Sequence, residues 1–430
     1  MAMTATTDDA GVSGPILTAD GRPLKASLQK SLRKNKLRAT LLVLPTFLFL
    51  LFTFIIPVLS LMLNSVDDRY INDVLPQSFA EFDKWDRKEL PPESMYKAMF
   101  TDITSAQGIQ IGKGSTRMNY AKSGWKSLMK KSRRKFNKII KNDAAFAGPY
   151  KEAMIKADKR WGDVTFWQSL SIMEDRYTGG YYLNAIDRKF DANKDVIMQP
   201  ENRQVYVTFW GRTLLVSLLV TVFCVLLGYP VAHLLATLPL RYSNILMICV
   251  LMPFWTSLLV RIVAWMIMLQ QQGVVNNSLV ALGIVADENR WAMMYNFTGT
   301  LIVMTQVLLP FMILPIYSVM KTISPVYMRA AQNLGATPRW AFFKVYMPQT
   351  LPGVGAGVIL VFIVAIGYYI TPELVGGKDG QLIGNQIAYH LKNSLNWGLA
   401  SAMGVILLAA ILILYWVYDK IVGIDNMRMG

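Results

Sequence analysis

Cysteine and histidine are almost missing from this 430-residue chain, which has two of each. Cys224 and Cys249 both fall inside apolar runs, where a thiol packs as a small hydrophobe, so no disulfide framework is expected. His233 and His390 stand alone, which leaves no metal cluster. No nucleophile with an adjacent base and an orienting third group stands out, so the chain reads as no enzyme by itself. Charge is scarce too: 17% of residues are charged against 53% hydrophobic, too apolar a balance for an ordinary soluble domain. Acidic residues are the scarcer sign, 28 against 44 basic.

What the chain has instead is long apolar runs. The first, Leu41 to Met62, supplies the roughly 20 apolar residues that cross hydrocarbon at about 1.5 Å per residue. It is too long for a signal-peptide core and no small-residue cleavage site follows, so it reads as a retained span. Further runs at Thr208–Leu235, Ile245–Leu269, Thr298–Met320, Val354–Leu374 and Leu399–Ile421 bring the count to six. Prolines 45, 57, 230, 253, 310, 315 and 372 fall in or at the ends of these runs. In a bundle, neighbouring helices and hydroxyls satisfy the carbonyls a proline frees, so they do not argue against helix.

Lys and Arg in short loops set the orientation. Lys25, Lys30, Arg33, Lys34, Lys36 and Arg38 precede the first span and predict a cytoplasmic N-terminal tail over 1–37, with span 1 over 38–66. The short loop at Arg241 is then cytoplasmic, the loop with Asp287 and Glu288 lies outside, and the 424–430 C-terminus is cytoplasmic. Between spans 1 and 2 lies an extracytoplasmic insert, 67–204, with 25 basic and 19 acidic residues; a segment that long translocates largely regardless of charge. Its stretch KSGWKSLMKKSRRKFNKIIK spaces Trp, Leu, Phe and Ile among lysines and arginines as an amphipathic helix does. The insert therefore reads as mainly helical, with its basic face solvated, near lipid headgroups or against a partner. Nucleic acid is not expected on that side. GIQIGKGST, from Gly108, imitates a phosphate-binding loop, but it has three residues between its glycines where four are needed, and Gly114 follows Lys113. The first 20 or so residues read as disordered.

The remaining span domain, 205–423, contains a connector, 321–352, that carries Lys321, Arg329, Arg339 and Lys344 and no acid. Its basic charge agrees with a cytoplasmic side. Ala330 and Ala331 permit close approach to a helix, Gly335 stops one, and Thr337–Pro338 restarts one with a hydroxyl cap and a proline in the first turn. Trp340, Phe343 and Met347 then recur at helical spacing before Pro348. Two short helices with a bend are predicted, a shape suited to docking.

Here the sequence resembles the inner-membrane permeases of ATP-binding-cassette (ABC) importers. Their signature loop runs Glu-Ala-Ala, three residues, Gly, nine residues, Ile, one residue, Leu-Pro. This chain has Arg329-Ala330-Ala331, three residues, Gly335, nine residues, Val345, Tyr346, Met347-Pro348. Arg329 in place of the acid is the clear departure. FWGRTLLVSLLVTVFCVLLGYPVAHLLA from Phe209, MPFWTSLLVRIVAW from Met252, GYYITPELVGG from Gly367, LIGNQI from Leu382 and NWGLASAM from Asn396 are similar to the spermidine/putrescine class. That class often has an acid near Tyr368, which is missing here, and it lacks the long insert.

The resemblance implies an all-α integral membrane protein of the type I importer fold. It implies alternating access: a periplasmic binding protein delivers the solute, two ATPase subunits carry ATP and Mg2+, a second related permease completes the pathway, and the loop Arg329–Pro348 couples to the ATPase. No cofactor is expected in this chain itself. Candidate solute-path residues are Glu373 and Arg261, as charges at or in the membrane, and Trp255, Trp265 and Tyr369, as rings that stack on an ammonium or anchor span ends. Polyamines lead the solute classes, with opines and amino-acid derivatives behind them. Rival readings are an ion-coupled secondary transporter, which should show inverted repeats or charges in several spans, and a membrane-anchored binding protein, which leaves Arg329–Pro348 unexplained.

Overall fold

A computed structural model describes residues 24–422 apart from Asp83, Ala144, Ala145, Ala192 and Asn193. The segments expected to be disordered at the start, and cytoplasmic at 424–430, lie outside the described residues. Among the described residues, six helical segments are long and apolar enough to cross a membrane: Leu32–Asn64, Tyr206–Thr237, Leu258–Ala281, Phe297–Thr322, Pro338–Ile366 and Trp397–Lys420, here spans 1 to 6, the third divided after Leu269.

Span 1 as far as Leu61 belongs to one compact unit. Its helix widens to a π turn at Leu51–Ile55, and no residue from Leu51 to Asn64 is buried. Apolar side chains all round a helix suit lipid, where every backbone group is bonded within the segment.

In the second unit, spans 2, 4 and 5 form the membrane core. Val216, Val220 and Cys224 of span 2 meet Met304, Leu308, Met312 and Ile316 of span 4 and Val361 and Ala365 of span 5. The backbones of spans 4 and 5 approach closely because span 5 has glycine where they touch. A Cβ on Gly353 would lie 2.9 Å from the Val319 side chain and 3.0 Å from the Pro315 carbonyl, and one on Gly357 2.6 Å from the Met312 sulfur. Small residues at such crossings maximise contact where water provides no driving force. As expected, Pro230, Pro310 and Pro315 sit inside unbroken helices.

Three sequence expectations need correction. The run Ile245–Leu269 is two helices, Leu240–Trp255 and Leu258–Leu269: Pro253 lacks an N–H, and Thr256 and Ser257 take extended backbone angles. The fifth span begins at Pro338 and ends at Ile366, not at Val354 and Leu374, because the chain bends at Gly367–Tyr369 before a short helix, Ile370–Val375. Cys224 is buried as a small hydrophobe, whereas Cys249 is exposed on its helix.

Residues 67–204 fold as a helical body with a core of Trp125, Trp161, Trp167, Tyr96, Phe82 and Phe136. The amphipathic segment is the helix Trp125–Asn142, which buries Trp125, Leu128, Met129, Ser132 and Phe136, at spacings of three and four, and leaves its lysines outside. Each central indole N–H finds an acceptor: Trp125 donates to Ser169 Oγ at 2.8 Å, Trp161 to Ser132 Oγ at 2.8 Å and Trp167 to the Trp161 carbonyl at 3.0 Å. GIQIGKGST forms the first turns of a helix, Gly108–Ala121, not a loop between strand and helix.

Polar contacts join this body to the adjoining ends of spans 2 and 6. The Asp187 carboxylate accepts from the amides of Val205 (3.0 Å), Tyr206 (3.0 Å) and Val207 (2.8 Å), satisfying the orphan donors that start span 2 and placing negative charge at the helix N-terminus. Buried Asp68 pairs with Arg117 at 2.7 Å, and Tyr181, which donates to Asp68 at 3.0 Å, packs with Leu399, Ala402 and Met403 of span 6. His390 Nε2 meets Tyr206 Oη at 2.9 Å and its Nδ1 meets Ser394 Oγ at 2.7 Å, while Tyr120 donates to the Ser394 carbonyl. Burial pushes the His390 imidazole down to about 4, so at neutral pH it bridges the two hydroxyls uncharged.

Removing one member of the buried ion pair leaves the other uncompensated. Asp68→Ala should cost about 3–5 kcal/mol, whereas Asp68→Leu with Arg117→Met should cost clearly less. Thermal unfolding of the full chain in detergent checks this; equal losses in the two variants would mean that the charge pairing is not what matters.

Candidate functional site

The connector folds as its residues dictate. Helix Val326–Asn333 carries Arg329, Ala330 and Ala331. It ends with Gly335 at φ 93°, the Gly335 amide bonded to the Gln332 carbonyl at 2.9 Å and the Ala336 amide to the Ala331 carbonyl at 3.1 Å. This crossed pair requires a left-handed residue at its centre, which glycine adopts without penalty. Thr337 then caps the next helix, its side chain accepting from the Trp340 amide at 3.4 Å, with Pro338 in the first turn.

The second helix is not a separate short element as expected. It passes through a π turn, Phe342–Tyr346, straight into Met347–Ile366. Pro348 explains the wide turn, because a proline ring excludes the carbonyl four residues back, here that of Lys344. Phe342 and buried Tyr346 hold the turn against span 2, their rings 5.2 and 5.3 Å from that of His233. Val345 and Met347 are half-buried, while Trp340 and Phe343 face outward. Ala331, Leu334, Gly335, Ala336, Thr337, Trp340 and Val345 line a notch of about 610 Å³, with Leu334 89% exposed at its edge. The rim of this notch is apolar and open to the surroundings. Arg329 is exposed, with no ion-pair partner among the described residues.

Span 5 leads at its other end to the second group of candidates. Tyr369 and Glu373 share one turn, the Glu373 amide bonding the Tyr369 carbonyl at 3.0 Å. Buried Asn385, on the helix Ile383–Lys392, donates to Glu373 Oε2 at 2.7 Å and to the Tyr369 carbonyl at 3.0 Å, while its own Oδ1 accepts from the Leu382 amide at 3.0 Å. The carboxylate is thus aimed by a residue with no freedom left. Lys392 lies over the Tyr369 ring, 5.6 Å from its centroid.

Arg261 is half-buried, and its Nε has no hydrogen-bond partner among the described residues. Trp265 donates to Gln306 Oε1 at 3.0 Å and packs in the cluster that contains Ile262, Tyr368, Ile370 and Leu374. Trp255 stands apart, 74% exposed at the end of its helix. Asn385, Lys392 and Gln306 were not singled out in the sequence. Asn385 lies within LIGNQI, but only the fold shows that it faces Glu373.

Residues 214–422 match the family model described as "Binding-protein-dependent transport system inner membrane component". The chain is 34% identical over 208 residues to the spermidine/putrescine transport system permease protein PotB of Escherichia coli strain K12, covering 48% of this chain and 75% of that one. It is 33% identical over 222 residues to the protein of the same name from Haemophilus influenzae, covering 51% and 77%. The inner membrane ABC transporter permease protein YdcU of Escherichia coli is 31% identical over 210 residues, 46% and 64% of the two chains. Among solved structures, a bacterial ABC transporter involved in import of the acidic polysaccharide alginate aligns with a TM-score of 0.43 at 17% identity, over 54% of this chain and 82% of that one. The insert lies outside the range matched by the family model. The chain therefore belongs to the binding-protein-dependent transport system inner membrane components and is a multi-pass inner-membrane permease subunit of an ABC importer.

Proposed function

We propose that this permease carries a polyamine such as spermidine or putrescine from a periplasmic binding protein to the cytoplasm by alternating access. The observation that carries the reading is the 33–34% identity to permeases named for spermidine/putrescine transport. A fixed carboxylate, Glu373, beside an aromatic ring, Tyr369, adds the chemistry that attracts an ammonium.

In this reading the N- and C-termini and the connector 321–352 are cytoplasmic, and residues 67–204 form a periplasmic domain between span 1 and the 205–423 permease domain. Two ATPase subunits, which hold the ATP and Mg2+, dock on the notch formed by Arg329–Pro348, and a second related permease completes the pathway. The absence of an acid at position 329 makes the docking mainly apolar, through Leu334 and Trp340.

The unpartnered Nε of Arg261 favours a second reading, in which the solute also bears a carboxylate, as an opine or amino-acid derivative does.

Uptake of radiolabelled spermidine by cells that depend on this transporter tests both. Competition by unlabelled putrescine and a fall of about tenfold or more in uptake with Glu373→Gln are expected. Competition by an opine but not by putrescine would favour the carboxylate-bearing solute, and uptake indifferent to Glu373→Gln would remove this carboxylate from the pathway.

A further inference from the structure

Lys392 ends the helix Ile383–Lys392, where a cation suits the helix C-terminus. It is exposed and forms no ion pair among the described residues, yet its ammonium is drawn over the Tyr369 ring at 5.6 Å. The carboxylate of the same turn forms no ion pair with it; Glu373 Oε2 accepts from Asn385 at 2.7 Å. Asn385 and Lys392 are seven residues apart on the helix Ile383–Lys392, two turns along one face, so that face runs beside the turn from Tyr369 to Glu373. One end of the face aims a carboxylate, and the other lays a cation on the adjacent ring.

We propose that Lys392 is a tethered ammonium that occupies the face of Tyr369 which an ammonium solute must take, so that it competes with the solute and sets the affinity of the site. This rests on the reading of Tyr369 and Glu373 as part of a polyamine pathway. The competition follows from chemistry. A ring face accommodates one cation, and a second cation brought to it meets like-charge repulsion as well as the cost of displacing the first. Because Lys392 is exposed, its displaced ammonium can swing into water without a desolvation cost. A contact of this kind at an exposed site corresponds to about a two- to fivefold effect on binding. The occupied state is the solute-free one, and a solute with several ammonium groups, which Glu373 can hold at a second point, displaces Lys392 more readily than a monoamine.

The test is the binding of radiolabelled spermidine to the full-length chain, assembled with its partner subunits in nanodiscs and without binding protein. Lys392→Met, which keeps the apolar stem and removes the charge, should tighten binding about two- to fivefold, and Lys392→Arg should restore the wild-type value. The gain should vanish in a Tyr369→Ala background, where no ring remains to contest. Unchanged or weaker binding in Lys392→Met, with Glu373→Gln still weakening it, would overturn the tethered-cation inference and leave the polyamine pathway standing. If Glu373→Gln and Tyr369→Ala both leave binding unchanged, the pathway reading itself falls and this inference with it.

Discussion

The helix that starts at Pro338 and does not stop until Ile366 is the constraint on which the rest depends. At about 1.5 Å per residue it is roughly 43 Å of continuous hydrogen-bonded rod. Its first turn forms one wall of the connector notch, its middle is locked to span 4 at Gly353 and Gly357, and the bend beyond its last turn carries Tyr369 and Glu373. A separate coupling helix would need a hinge to pass on a displacement. A rod needs none, and the π turn at Phe342–Tyr346, pinned to His233, widens the helix without interrupting it.

The insert acts on the opposite ends of the helices. Asp187 supplies the start of span 2 with its acceptor, Tyr181 packs on the start of span 6, and Tyr120 holds the residue that leads from Ile383–Lys392 into that span. The same helix aims Glu373 through Asn385. The insert is thus bonded to the segment that follows the helix Ile383–Lys392, although it lies outside the family match.

Much of this was legible in the sequence, because the signals are local. Gly335 and Thr337–Pro338 state a helix stop and a restart by their own backbone and capping preferences, and the insert's Trp125–Asn142 helix shows its buried face as a period of three and four. GIQIGKGST failed as a phosphate loop on spacing alone. What escaped is non-local or turns on one dihedral. The capping of span 2 by Asp187 spans 18 residues, and the grip of Asn385 on Glu373 joins two helices. Hydropathy cannot see the break at Thr256–Ser257, because its flanks are equally apolar, nor the fusion of the connector to span 5, because Pro348 looks like a terminator when a π turn can absorb it.

In the proposed function the energy of transport enters through the notch at Ala331–Val345. Co-purification of the ATPase subunit with the chain in mild detergent, compared between native protein and the variants Leu334→Asp and Gly335→Trp, tests it most directly. Leu334 is 89% exposed, and a Cβ on Gly335 meets open space although the left-handed backbone there strains any side chain, so Gly335→Trp disturbs the connector, Leu334→Asp only its rim, and neither touches the membrane core. The account predicts that both variants remain in the membrane with the second permease and lose the ATPase. An ATPase retained at native yield in both would contradict it.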